Sequence, residues 1–561
     1  MFFIKNMSYL IHRGENEDEK IKAIITGIFI SLTAVLLVAC GKSTSENSKQ
    51  VLNLSTTGPL DTIDISKSTG YGQTGNVFES FYRLGKDGKV TPGLAKSGQV
   101  SQDGKTWTFT LRDAKWSNGD KITAQDFVYS WRRTIDPKTA SPYAYLFYDV
   151  KNAQAINEGK MSADKLGIKA EGDNKVVITL DRPISYFKVL MTYPLFGPQN
   201  EKVVQKYGKK YGTNSKYMVY SGPFKVKDWN GTSDKWSFVK NDQYWDKKVV
   251  KLQKINYQVV KNTNTGYQLF QQGKLDLTPL SSEQVKNLHN KPEFKQYSYS
   301  YVAYLDYNFN DSNEVNRKAL NNKNIRLALS LAIDRKTLTK KVFGDGSNVP
   351  TGFVASDLAS NPSTGKDFAE EQKVDNTVDY NEKLAKKYWK KGLQEIGEKN
   401  LNFTILASNE MANNDALTQY LQSQYTKVLP GIKVSVQNIP GNSALSKARK
   451  GNYDIYVSGW GGDFKDPITF MQIPVTGTSY NYEKYSNKEY DALIEKAQNE
   501  DANDANKRWE DLVKAARIFN ADQGVTPLYQ QTTSYMQNTK VKGIIQNTAG
   551  TQWNYKYAYI K

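Results

Sequence analysis

The chain has 561 residues and a formal charge of +19, from 76 lysines and arginines against 57 aspartates and glutamates. It is too long for one ordinary core, so two or more domains are expected. A single cysteine excludes a disulfide framework, and two histidines exclude a histidine-rich zinc site and leave little room for Ser-His-Asp or Cys-His catalysis.

Residues 23–38 are apolar and charge-free, follow Lys20 and Lys22, and lead through Ala39 to Cys40, after which the chain turns polar. A basic start, an apolar core and a small residue at the cleavage point read as a secretory signal over residues 1–39. The run is shorter than the ~20 residues that span a bilayer. Leu37-Val38-Ala39-Cys40 resembles the bacterial lipobox, which implies that the Cys40 thiol carries diacylglycerol and becomes the mature N-terminus. Two acyl chains hold a soluble body on a membrane stably, with residues 40–50 as the lipidated end and polar tether. The acidic patch from Glu15 to Glu19 is unlike a leader and points to an over-extended gene start. His12 leaves with the leader, and His289, in the polar stretch 286–291, reads as a solvated surface residue. Residues 1–39 carry equal numbers of basic and acidic side chains, so the positive excess belongs to the mature part. Its lysines are spread, with no arginine-rich stripe and no nucleic-acid motif. They suit anionic headgroups and cell-wall polymers and argue against nucleic acid.

The body mixes strand and helix signals. Residues 51–55 read as a half-buried strand. An Asp103-Gly104 turn precedes the clean alternation of 105–112, a second strand. Thr123 caps a helix that puts Phe127, Trp131 and Ile135 on one face. Residues 324–333 form an apolar, buried helix. Asp379 and Glu382 have the spacing of a capping box, opening a helix with Leu384, Ala385, Tyr388, Trp389 and Ile396 on one broad face and an end near Gly397. Residues 402–407 read as a strand. The alternation predicts an α/β body.

Three stretches carry a resemblance: WTFTLR at 107–112 with AKWSNGD at 114–120 and TAQDFVYSW at 123–131; NIRLALSLAIDR at 324–335; and GWGGDFKDP at 459–467. Weaker echoes are SGPF at 221–224, YSN at 485–487 and TPLY at 526–529. Together and in this order they resemble the oligopeptide-binding proteins of ABC importers, the family-5 extracellular solute-binding proteins, from about Val51 to the C-terminus. The resemblance implies a two-lobed α/β fold of the periplasmic-binding-protein type II class, with an extra domain in the first lobe and hinge closure around ligand. The lobes would be residues 51–310, with the extra subdomain at about 93–215, and 311–525, the segment 526–561 returning to the first. It implies a monomeric receptor, not an enzyme, that needs no cofactor or metal. Its partners would be oligopeptides, an ABC permease and, through the lipid anchor, the extracellular face of a Gram-positive cell membrane.

The same resemblance assigns roles to residues. Asp463 pairs with the peptide α-amino group, a charge-assisted contact that an amide would not match. The competing role for Asp463 is a turn or helix cap ahead of Pro467. Gly459, Trp460 and Gly461 line the ligand path, the glycines permitting close backbone approach. Thr69, Gly70 and Tyr71 offer backbone groups from the first lobe, and Tyr143 lies near the peptide main chain. Where some relatives meet the carboxyl end with a histidine and an arginine, this chain has Asn413 and Val457, which points to longer peptides or a looser length limit. Two alternatives stay open: a same-fold receptor for nickel, haem or a sugar, and a peptide-pheromone or adhesive lipoprotein. Asp463 favours peptides, and the scarcity of histidine argues against a transition metal.

Overall fold

In Val51–Thr56, Leu52 and Leu54 alternate with more exposed neighbours and are buried, which makes a strand with one face on a core. The computed structural model describes residues 50–561 other than Thr57, Thr69 and Ala412. The expected leader, Cys40, the tether up to residue 49 and Thr69 lie outside the described residues. Residues 51–561 group as one unit around a ten-stranded mixed sheet.

One half of that sheet is built on Val51–Thr56, flanked in parallel by Leu277–Pro279 and Lys254–Val259, with Lys235–Lys240 and Phe224–Lys227 added antiparallel at the edge. The other half is Ile432–Ile439, Leu401–Ser408 and Ile455–Gly461, all parallel to one another. Two long antiparallel strands, Phe294–Tyr307 and Val525–Gln537, belong to both halves. The end of the second pairs with Leu277–Pro279, while Tyr301 to Tyr307 of the first pair with Ile455–Gly461. Their mutual ladder shifts register between Ser298 and Val302, midway between the halves. Such irregularities bend a strand and raise its twist, so the sheet changes direction there.

A separate antiparallel sheet runs in the order Ala95–Val100, Thr106–Leu111, Lys175–Thr179, Ile168–Glu171. The turn between its first two strands uses Gly104 at φ +72°, which a side chain would strain. The helix Ala124–Ile135 covers this sheet, and the Asp126 carboxylate accepts the Thr123 N–H at 2.8 Å, as a capping box requires. Phe127, Trp131 and Ile135 are fully buried, as their spacing predicts. Phe81 stacks on Phe109 at 4.4 Å and on Phe127 at 4.1 Å, fastening the segment before the small sheet to its core.

The helix Lys323–Leu331 is buried from Ile325 to Leu331. Its Arg326 donates to the carbonyls of Leu320, Asp522 and Gln523, and nearby Arg335 donates to those of Pro527, Ser330 and Val378. This stretch of the resemblance is therefore scaffold: its guanidinium groups satisfy carbonyls, several of them at helix ends, that burial would otherwise leave unpaired. One expected cap is corrected. The helix Glu382–Ile396 is capped by Asn381, whose Oδ1 accepts the Leu384 N–H at 3.0 Å. Asp379 accepts the Asn376 N–H instead, because it stands too far upstream to reach the first turn. The helix buries Ala385, Trp389 and Leu393 and ends at Gly397, φ +76°. His289 is exposed.

Candidate functional site

The strand Ile455–Gly461 delivers the 462–467 loop to the junction of the two sheet halves. The Gly462 N–H donates to the Ser300 carbonyl at 2.8 Å and the Asp463 N–H to Thr469 Oγ1 at 3.0 Å, which fixes the loop to the long central strand and to the short helix Ile468–Met471. Asp463 Oδ2 then accepts the Tyr145 hydroxyl at 3.0 Å, a bond across 318 residues of chain. Burial pushes the Asp463 acid up to about 6, and the Tyr145 bond opposes that rise.

Aromatic rings wall this carboxylate. Tyr143 lies 5.6 Å from Tyr71 and 6.1 Å from Tyr145; Tyr145 lies 6.4 Å from Tyr480, which meets Trp460 edge-on at 5.2 Å. Burial first, and the Asp463 charge with it, raises the phenols of Tyr143, Tyr145, Tyr193, Tyr299 and Tyr480 above their ordinary value. They are therefore neutral donors at neutral pH. One carboxylate among neutral rings suits an ammonium, through a charge-assisted hydrogen bond and cation–π contact.

The expected residues divide. Asp463, Tyr143 and Tyr71 converge, and Trp460 joins them through Tyr480. The Trp460 Nε1–H and Ser141 Oγ are buried without a protein partner, polar groups that usually find one. Tyr71 is a core residue, its hydroxyl donating to the Ile65 carbonyl at 2.8 Å, and its own carbonyl accepts from the Gly75 N–H. Gly70 is exposed and accepts the Ser68 hydroxyl at 2.6 Å. A Cβ on Gly459 would collide with the Tyr301 ring, so the room that glycine leaves is filled from the neighbouring strand; one on Gly461 would meet only ordinary contacts. Val457 is buried, and Asn413 donates to Asp345 at 2.8 Å, so neither brings a cation. The cap ahead of residue 468 is Asp466, whose Oδ1 accepts the Ile468 N–H. A groove of about 1100 Å³ is lined by Lys465, Asp466 and Pro467 but not by Asp463.

Sequence reasoning missed Tyr145, Tyr193, Tyr299 and Tyr480. Tyr145 had a signal, two residues past Tyr143 in one short turn, and Tyr299 shares strand parity with Tyr297 and Tyr301. Nothing local marked the other two.

The chain matches, over residues 89–538, the family described as bacterial extracellular solute-binding proteins, family 5 Middle. The chain belongs to this family. It is similar to the dipeptide-binding protein of Lactococcus lactis subsp. cremoris (strain MG1363), 41% identical over 550 residues that cover 96% of this chain and 99% of the relative. It is also similar to the structure of Listeria monocytogenes OppA bound to peptide, at 37% identity and a TM-score of 0.74, covering 91% of this chain and 99% of that one. The pheromone receptor PrgZ, solved with its mode of peptide binding, is 36% identical with a TM-score of 0.75 and coverage of 91% and 100%. The two-lobed α/β fold is that of these receptors, as the three quoted stretches implied. Among the described residues, no helix is long and apolar enough to cross a membrane.

Proposed function

We propose that this family-5 receptor binds oligopeptides outside the cell and delivers them to an ABC permease, with Asp463 receiving the peptide α-ammonium. The observation that carries the reading is the half-buried Asp463 carboxylate, set among neutral tyrosines drawn from distant parts of the chain. An ion taken out of water needs a partner of opposite charge, and an ammonium supplies both charge and donors. The names of the similar proteins, a dipeptide binder and a peptide-bound OppA, support the same ligand class.

In this reading residues 51–310 and 526–561 form the first lobe and 311–525 the second, and closure brings Tyr143 and Tyr145 to Asp463. Trp460, Gly459 and Gly461 run beside the peptide main chain, Gly70 and Tyr71 face it from the first lobe together with Thr69, and strand-like pairing holds a backbone while tolerating side chains. Val457 and Asn413 leave the carboxyl end without a fixed cation, so peptides longer than about five residues should bind, a length set by the missing anchor. Cys40 carries the lipid that keeps the receptor on the outer face of the membrane as a monomer. Similarity to a pheromone receptor supports signalling peptides as one source of ligand.

Mass spectrometry of molecules that co-purify with the protein tests the ligand class directly. Peptides with free amino ends are expected, and a consistent non-peptide solute would overturn the reading. For the anchor, Cys40→Ala is expected to abolish metabolic acyl labelling; equal labelling of both forms would refute it.

A further inference from the structure

We propose that Tyr145 is a positioning residue for peptide recognition: its hydroxyl, brought by the turn that packs on the helix Ala124–Ile135, aims the Asp463 carboxylate at an incoming ammonium. This rests on the reading of Asp463 as the amine receptor. The geometry is specific. Tyr145 Oη lies 3.0 Å from Asp463 Oδ2, which leaves Oδ1 for the ligand. The Asp463 backbone is pinned separately, through Thr469. Two further contacts bring the same faces together. Tyr186 stacks on Phe464 at 4.8 Å with planes 10° apart, and Arg182 Nη1 donates to the Gln498 carbonyl at 3.2 Å. The hydroxyl therefore reaches Asp463 only when these faces meet, so the carboxylate is oriented as the lobes close.

The bond also sets the pH at which the site works. The groups around Asp463 are Tyr143, Tyr145, Tyr193, Tyr299 and Tyr480, all neutral phenols. Of the cations in this region, the Lys465 side chain lies against Gly88, Arg508 pairs with Asp466, and Arg449 reaches the wall at Tyr480, whose phenol it lowers. A phenol that donates to a carboxylate favours the ionised form. Removing it lets the acid rise further above about 6, the value that burial and this bond together set. An ammonium binds the carboxylate and not the acid, so affinity falls as pH drops through this range, and without the hydroxyl it falls from a higher pH.

The test is calorimetry from pH 5 to 8 with tetra-alanine and its N-acetylated form, on the wild type, Tyr145→Phe and Tyr148→Phe. Tyr148 belongs to the same turn, but its hydroxyl donates to Asn157, so its variant controls for loss of a phenol there. The ratio of the two affinities cancels effects on the rest of the peptide. We expect Tyr145→Phe to lower the free-amine preference about tenfold at pH 7 and to move its fall-off up by about one pH unit. Tyr148→Phe should track the wild type. If Tyr145→Phe superimposes on a wild type that prefers the free amine, the role of Tyr145 is overturned and that of Asp463 stands. If the wild type shows no preference, or binds neither peptide, the underlying reading fails and this proposal with it.

Discussion

Asp463 and Asp466 stand three residues apart on one loop and meet opposite surroundings. Asp466 is clasped by Arg508 in a two-pronged pair at 2.7 and 2.9 Å and also caps the turn at Ile468. Asp463 is met by a neutral phenol and lies among rings. The first acid is complete within the protein and serves the fold. The second carries a charge whose balance must come from whatever enters, which is the condition of a recognition group. The difference teaches that a binding carboxylate is recognised by what surrounds it, since both aspartates look alike along the chain.

The comparison can be broken at its structural side first. Arg508→Ala leaves the half-buried Asp466 without its partner and should lower unfolding free energy by up to about 3 kcal/mol, read by denaturant titration. Its preference for free-amine over N-acetylated peptide should survive. A variant as stable as the wild type would mean that Asp466 is not a structural acid.

At the other side, Asp463→Asn should weaken free-amine peptides by about thirtyfold or more, since truncating one partner of a buried charge pair costs roughly 2–5 kcal/mol. N-acetylated peptide should lose much less, and calorimetry with both forms separates the effects. Equal losses for the two would remove Asp463 from the amino end.

The same substitution sharpens the contrast through stability. The folded Asp463 acid is raised from 3.8 to about 6. Its contribution is thus fully present below pH ~4 and is lost as pH rises through about 6. At pH 7.5 the wild type carries the penalty and Asp463→Asn does not, so the variant should be the more stable by up to about 2–3 kcal/mol. Its advantage should vanish toward pH 4. Melting curves at both pH values check the sign, and an advantage that grows on acidification would contradict it.

The smallest effect is expected at the far end of the peptide. With Val457 buried and Asn413 tied to Asp345, amidating the carboxyl terminus should change affinity by less than about threefold, well under 1 kcal/mol. A sharp collapse, measured on one peptide as acid and amide, would reveal a cation that holds that end.

Much of the fold was legible along the chain because its signals are local. Alternation at Thr106–Leu111, the Thr123 cap, the helix face of Trp389 and the Gly397 stop all depend on near neighbours. The Asp379 cap failed on a local detail, the stronger claim of Asn381 next to the first turn. The site was legible only in part. Asp463 and Tyr143 lie in stretches with a recognisable pattern, whereas Tyr193, Tyr299 and Tyr480 are three of 36 tyrosines. Their selection comes from long-range pairing, which places Tyr301 opposite Gly461 and carries Gly462 to Ser300, and no short window of sequence contains that.

The chain passes between the two halves of the large sheet on adjacent strands, out along Phe294–Tyr307 and back along Val525–Gln537. Ser298 and Thr532 face each other across the ladder, as do Ala303 and Tyr529. Everything between those pairs is one uninterrupted length of polypeptide whose two ends emerge side by side. Modules with neighbouring ends are the ones that insertion and excision tolerate. A two-residue hairpin joining the Ser298 and Thr532 strands would seal the first half as a freestanding piece, and a foreign second half could be spliced at the same seam.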